Sequence, residues 1–80
     1  MANISKNAVE TIKQLNEELF EAEYKLEQQR RAVSKYRYYL AADPTADSVM
    51  DLHGAMANLR ACQQHADSLH KALEKAMENI

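Results

Sequence analysis

The sequence contains few of the residues from which turns and cross-links are made. It has one glycine, one proline and one cysteine, and no tryptophan. Because a multi-stranded sheet needs several turns, which Gly and Pro usually provide, the chain favours a few long elements over many short ones. The single thiol, Cys62, cannot form an intrachain disulfide. Together with a start that lacks the apolar segment of an export signal, it predicts a cytoplasmic protein.

Neither sign of charge dominates, and long apolar runs are also lacking. Ten basic and 12 acidic residues give a formal net charge of -2, whereas general nucleic-acid binders are usually strongly basic. No apolar run approaches the roughly 20 residues that span a bilayer, so we expect no membrane partner. A chain of 80 residues forms one domain, 1–80, with a small core. Without a disulfide or a structural metal, we expect association with another chain to stabilise it.

Good helix formers make up most of the chain, and apolar residues recur among them at alternating spacings of three and four. One such seam predicts helix 1 from about residue 5 to about residue 41, with Ser5 or Asn7 as its N-cap. A second seam predicts helix 2 from about residue 46 to about residue 79. In chain order, the seam positions are Ile12, Leu15, Leu19, Ala22, Leu26, Gln29, Val33, Tyr36 and Leu40, then Leu52, Ala55, Leu59, Cys62, Ala66, Leu69, Leu73, Ala76 and Ile80.

The turn between the helices, residues 42–46, contains Asp43-Pro44. Proline disfavours helical conformation in the preceding residue and is accepted at the first position of a helix. This predicts Asp43 as the N-cap of helix 2, and starts at Thr45 or Asp47 are the alternatives. Because the connection is short, the helices must be antiparallel neighbours. The predicted fold is therefore all-α, an antiparallel two-helix hairpin resembling a coiled coil.

Apolar residues outside the two seams predict that the hairpin associates. Val49, Met56 and Met77 form a column beside the second seam, and Phe20 and Tyr24 lie outside the first. Two helices cover only part of such wide apolar faces. A second copy, giving a four-helix bundle with two-fold symmetry, is the simplest completion. The residues predicted to form the interface with a second copy or another protein are Leu19, Phe20, Tyr24, Leu26, Val49, Met56, Leu59 and Met77.

A basic segment with interleaved tyrosines lies near the end of helix 1. Its cations are Arg30, Arg31, Lys35 and Arg37. Three interpretations remain open. In the first, the segment is a solvated face, in which Glu27 pairs with Arg31 and aspartates near the turn compensate the remaining charges. In the second, it binds a protein. In the third, it binds nucleic-acid phosphates while the tyrosines stack on bases. Upstream, residues 17–27 are rich in glutamate, so helix 1 changes sign along its length, which would steer a basic partner or fix an antiparallel register between copies.

Metal, cofactor and catalytic sites are not indicated. Cys62, His65 and His70 are spaced so that the three side chains cannot converge from one helix, and no carboxylate pair completes a ligand set. A Cys–His pair needs an oriented base and an oxyanion hole in a cleft, which a packed helical seam does not offer. Gly54 either permits close packing or is tolerated on an outer face. We therefore expect no enzyme activity and no cofactor.

The predicted function is that of a small non-enzymatic interaction protein, of the adaptor, inhibitor, chaperone or phage and plasmid accessory type. Its partners would be a second copy and another, unidentified protein. A nucleic-acid-binding regulator that uses residues 30–39 is the first alternative, and a structural assembly subunit is the second. The layout resembles that of plasmid-encoded RNA-binding regulators that dimerise as hairpins, and equally that of small secretion-apparatus co-chaperones. This likeness is one of architecture, which does not imply function.

Overall fold

Two long antiparallel helices form the whole of the fold in residues 4–78, which the computed structural model describes. Helix α1 spans Lys6–Ala42 and helix α2 spans Ala46–Glu78. The molecule measures 61 × 15 × 14 Å. The all-α hairpin is confirmed, as is the site of the turn. The predicted end of helix 2 at residue 79 and the last seam position, Ile80, lie outside the described residues.

The start of α1 is fixed by Ser5. Its backbone is extended, with φ −64° and ψ 150°, and its side-chain oxygen accepts a hydrogen bond of 3.1 Å from the backbone N–H of Ala8. The Ser5 carbonyl accepts a second bond from the N–H of Val9. Because a cap satisfies N–H groups that have no partner within the helix, Ser5 rather than Asn7 is the N-cap.

Asp43 ends α1 and does not begin α2. Its backbone N–H donates to the carbonyl of Tyr39 at 2.8 Å, which makes it the C-cap of the first helix. The prediction that Asp43 caps helix 2 with Pro44 at its first position is therefore wrong. The physical reason is that the backbone of Asp43 still completes the last turn of α1, so both it and Pro44 lie between the helices.

Thr45 caps α2 instead. Its hydroxyl oxygen accepts a bond of 3.0 Å from the backbone N–H of Ser48, and its carbonyl accepts from the N–H of Val49. The Ser48 hydroxyl in turn donates to the carbonyl of Asp43 at 2.9 Å, so the connection between the helices is closed by hydrogen bonds. Helix α2 itself begins at Ala46, one residue after the alternative start at Thr45.

The core is a thin strip between the helices. Within the described residues it consists of six buried side chains, all at predicted seam positions: Leu19, Ala22, Leu26, Ala55, Ala66 and Leu73. Half of these are alanines, which bring the helix axes close but remove little apolar area from water. Ile12, Leu15, Leu59, Cys62 and Leu69 pack against the strip while remaining partly exposed.

The surface of the hairpin is large for the mass of the chain. A compact monomer of 9.1 kDa exposes about 4,900 Å², whereas this chain exposes 6440 Å². Its radius of gyration is 18.1 Å, against about 12 Å for a compact domain of this length. The hairpin therefore leaves roughly 1,500 Å² more surface in water than a compact fold of the same mass.

Candidate protein-interaction surfaces

The hairpin has two long sides, and shallow grooves mark one of them, which we call the groove side. One groove of about 360 Å³ has Ala32 on α1 and Gly54 and Asn58 on α2 among its lining residues. A second, of about 280 Å³, lies between Lys25 and His65. On both helices, residues that directly precede a seam position lie on this side. In an antiparallel pair of heptad helices, these two flanks fall on the same side of the hairpin.

The opposite long side, which we call the methionine side, carries Val49, Met56 and Met77 of α2. These residues are separated by multiples of seven and therefore lie in one column. Their exposed fractions are 52%, 49% and 47%. The column also contains Gln63 and His70, so its apolar residues are the neighbours Val49 and Met56 and, farther along, Met77.

Helix α1 contributes both charged and apolar residues to the methionine side. Glu23, Arg30 and Arg37 each follow a seam position directly, so they lie on this side of α1. Phe20 is three residues before Glu23 and adjoins it on the helix surface. Val9, which was not among the predicted interface residues, belongs to the same column as Arg30 and is 49% exposed. Extending the heptad upstream of Ile12 would have identified it.

Phe20 and Tyr24 are each 66% exposed and lie one turn apart on α1. One ion pair precedes them along the helix and another follows them. Lys13 and Glu17 approach to 3.6 Å on one flank, and Glu27 and Arg31 to 3.5 Å on the other. Tyr24 is close to the position opposite the core, whereas Phe20 is turned toward the methionine side. The two aromatic rings therefore face different directions.

Three of the predicted interface residues lie inside the hairpin. Leu19 and Leu26 are each 8% exposed in the core, and Leu59 packs against it. Their apolar surface is largely used between α1 and α2. The predicted interface residues that remain exposed are Phe20, Tyr24, Val49, Met56 and Met77.

The basic segment is partly compensated within its own helix. Glu27 lies 3.8 Å from Arg30 and 3.5 Å from Arg31, so the predicted Glu27–Arg31 pair is confirmed. Lys35 lies over the ring of Tyr36, 5.1 Å from its centroid. In residues 4–78, no ion pair joins this segment to the aspartates near the turn. The positive charge of Arg37 is therefore not balanced across the turn.

Tyrosines line the turn-proximal end of α1. The rings of Tyr36 and Tyr39, and those of Tyr38 and Tyr39, meet edge to face at 6.2 Å between centroids. Tyr38 is 71% exposed and lies in the same outward column as Tyr24. Met50, also absent from the predicted interface, is 66% exposed on the outer surface of α2.

The histidine and cysteine side chains do not assemble. Within the described part of the chain, no three of the His, Cys, Asp and Glu residues form a group that could hold a metal ion. His70 bonds Glu74 at 2.9 Å through its Nε2 atom, and Cys62 is half-buried beside the core. Across residues 4–78, neither helix contains a stretch that is both long and apolar enough to pass through a membrane.

Comparison with protein-family models, with curated proteins and with solved structures gives no significant match.

Proposed function

We propose that the chain is a non-enzymatic interaction protein that self-associates through its hairpin and acts by binding another protein. The observation that carries the proposal is the surface of 6440 Å² around a core that, in residues 4–78, consists of six small or medium side chains. A standard interface buries about 800 Å² on each partner. The excess over a compact monomer, roughly 1,500 Å², is large enough to supply one such interface and leave surface for a second.

Self-association makes thermal stability depend on concentration. If two folded copies dissociate into two unfolded chains, mass action raises Tm as protein concentration rises. We expect Tm, followed by circular dichroism, to increase by several degrees over a hundredfold range of concentration. A Tm that stays constant over that range would show a hairpin that is stable alone, and the proposal would then be wrong.

The outer surface of α1 supports binding to a different protein. Tyr24 and Tyr38 point away from the hairpin core and remain 66% and 71% exposed. Aromatic side chains of this kind commonly anchor protein interfaces. Cross-linking in extract of the source cells, followed by mass spectrometry, should identify a partner with the wild-type chain. The Tyr24→Glu/Tyr38→Glu variant should lose it, and a Glu17→Gln variant, altered on the same outer column, should keep it.

A nucleic-acid-binding regulator is the alternative supported by Arg37, whose charge is not balanced across the turn. Such binding would depend strongly on salt and would be removed by Arg30→Glu with Arg37→Glu. The pairing of Arg30 and Arg31 with Glu27 weakens this alternative, because a carboxylate beside the two guanidinium groups repels phosphate. Salt-sensitive retention of the wild-type chain on RNA or DNA would favour it over protein binding.

A further inference from the structure

We infer that the second copy packs on the methionine side in antiparallel orientation, with the two-fold axis crossing the hairpin at the level of Gln63. This inference rests on the proposed self-association and specifies its surface and register. Three observations lead to it: the order of apolar residues along this side, the order of charges along it, and the space left at the opposite side.

The apolar residues at the two ends of the methionine-side column are ordered as a two-fold axis requires, whereas Met56 lies opposite His70 of the second copy. Gln63 lies halfway between Val49 and Met77 in α2, which are about 42 Å apart at 1.5 Å per residue. Turning one copy end over end about Gln63 therefore sets Val49 against Met77 of the second copy, and Met77 against its Val49. An isologous contact needs this self-complementarity, because the same patch serves both subunits.

Charge along the methionine side changes sign at the same level. Toward the turn the side carries Arg30, Arg37 and Arg60 with one acid, Glu27, and toward the free ends it carries Glu23, Asp67 and Glu74. Lys6 and Lys13 are the cations in the acidic half, and Lys13 is paired with Glu17 at 3.6 Å. Two copies in parallel orientation would place like charges together, whereas two antiparallel copies place each basic half on an acidic half.

Individual residues match in this register. Arg60 precedes Gln63 by three positions and Asp67 follows it by four, so Arg60 meets Asp67 of the second copy within about one residue of rise. On α1 the level of Gln63 is near Lys25, which lines a groove together with Cys62 and His65. Phe20 and Arg30 lie five residues to either side of Lys25, which sets the ring of Phe20 beside Arg30 of the second copy. A guanidinium over an aromatic face is a favourable pair.

The groove side does not compete as the interface. One groove there is lined by Ala32, Gly54 and Asn58 together with Tyr36 and Met50, and the space over Gly54 is open, with no atom within 4 Å of a Cβ built there. Ala32 and Gly54 offer little apolar area to a partner. The exposed large side chains of α2 that share a column, Val49, Met56 and Met77, are all on the other side.

Charge reversal tests the orientation. Arg30→Glu with Arg60→Glu gives the methionine side a net negative charge in both halves, although Arg37 and Lys13 remain. Glu23→Lys with Asp67→Lys gives it a net positive charge in both halves, although Glu74 remains. We expect each variant alone to dissociate at least tenfold more readily than wild type in sedimentation experiments, and an equimolar mixture to recover the dimer. A parallel dimer predicts no loss in either variant, since like charges already face each other. Lys35→Glu with Lys71→Glu is the matched control. It changes the net charge by the same amount as Arg30→Glu with Arg60→Glu, but at positions outside the methionine side, so it should leave the dimer intact.

Cross-linking tests the register. In a Cys62→Ser background, Val49→Cys and Met77→Cys chains should be joined by a short bis-maleimide when mixed, whereas neither variant should link to itself. Self-linking of Val49→Cys would overturn the antiparallel register. A dimer that forms no link in the mixture would place the interface elsewhere and leave the proposed self-association standing. A wild-type chain that sediments as a monomer would overturn both.

Discussion

Replacing Gly54 by alanine tests both the folding of α2 and the choice of interface. Gly54 lies in the interior of Ala46–Glu78, where glycine costs about 1 kcal/mol relative to alanine because it loses more backbone freedom on folding. Positive φ is not found at this glycine, and a Cβ built on it meets no atom within 4 Å. The added methyl group therefore fits without strain.

We expect Gly54→Ala to stabilise the protein by about 1 kcal/mol, which raises Tm by roughly 4–8 °C for a domain of this size. Thermal unfolding followed by circular dichroism measures the shift, and sedimentation measures any change in association. Association should not weaken, because the groove side faces solvent in the proposed dimer.

A loss of stability, or weaker association of Gly54→Ala, would refute this reasoning. Either result would mean that another surface approaches Gly54 closely in the assembled protein, as happens where glycine permits tight helix packing. The interface would then lie on the groove side. Ala57→Gly is the matched control, because it introduces the same difference at an exposed position of α2 and should lower stability by a similar amount.

Three further changes test the core, the turn and the interface. Leu26→Ala removes a core side chain that is 8% exposed; we expect a loss of about 2–5 kcal/mol, measured by urea unfolding, and a loss near zero would mean that the core strip does not hold the helices together. Thr45→Ala removes the cap of α2 and should cost about 1 kcal/mol in the same assay, with Thr45→Ser as the conservative control. Met56→Glu should weaken dimerisation at least tenfold in sedimentation, whereas Met50→Glu, an equally polar change on the outer surface of α2, should not.

Both helices and their pairing follow from the spacing of apolar residues, because two continuous seams joined by one short turn allow only an antiparallel hairpin. The cap of α2 was harder to predict. Asp43 and Thr45 both carry side chains that cap helices, and local sequence does not reveal that the backbone of Asp43 is engaged by Tyr39. The choice between them depends on where α1 ends, which the hairpin as a whole determines.

The division of the apolar surface was also beyond the sequence. Leu19 and Leu59 both occupy seam positions, yet Leu19 is 8% exposed in the core whereas Leu59 is only partly buried against it. A heptad pattern indicates which residues are apolar and in which column they lie. It does not tell how much of a wide face is covered by the other helix of the same chain. That requires the helix separation, which the alanines of the core set.

The mass of the chain in solution tests the central claim most directly. Light scattering on the purified protein at tens of micromolar, with circular dichroism on the same sample, gives both mass and helicity. We predict a helical species of twice the 9.1 kDa of one chain. A fully helical species of 9.1 kDa would contradict the account, since the hairpin would then be complete without a second copy.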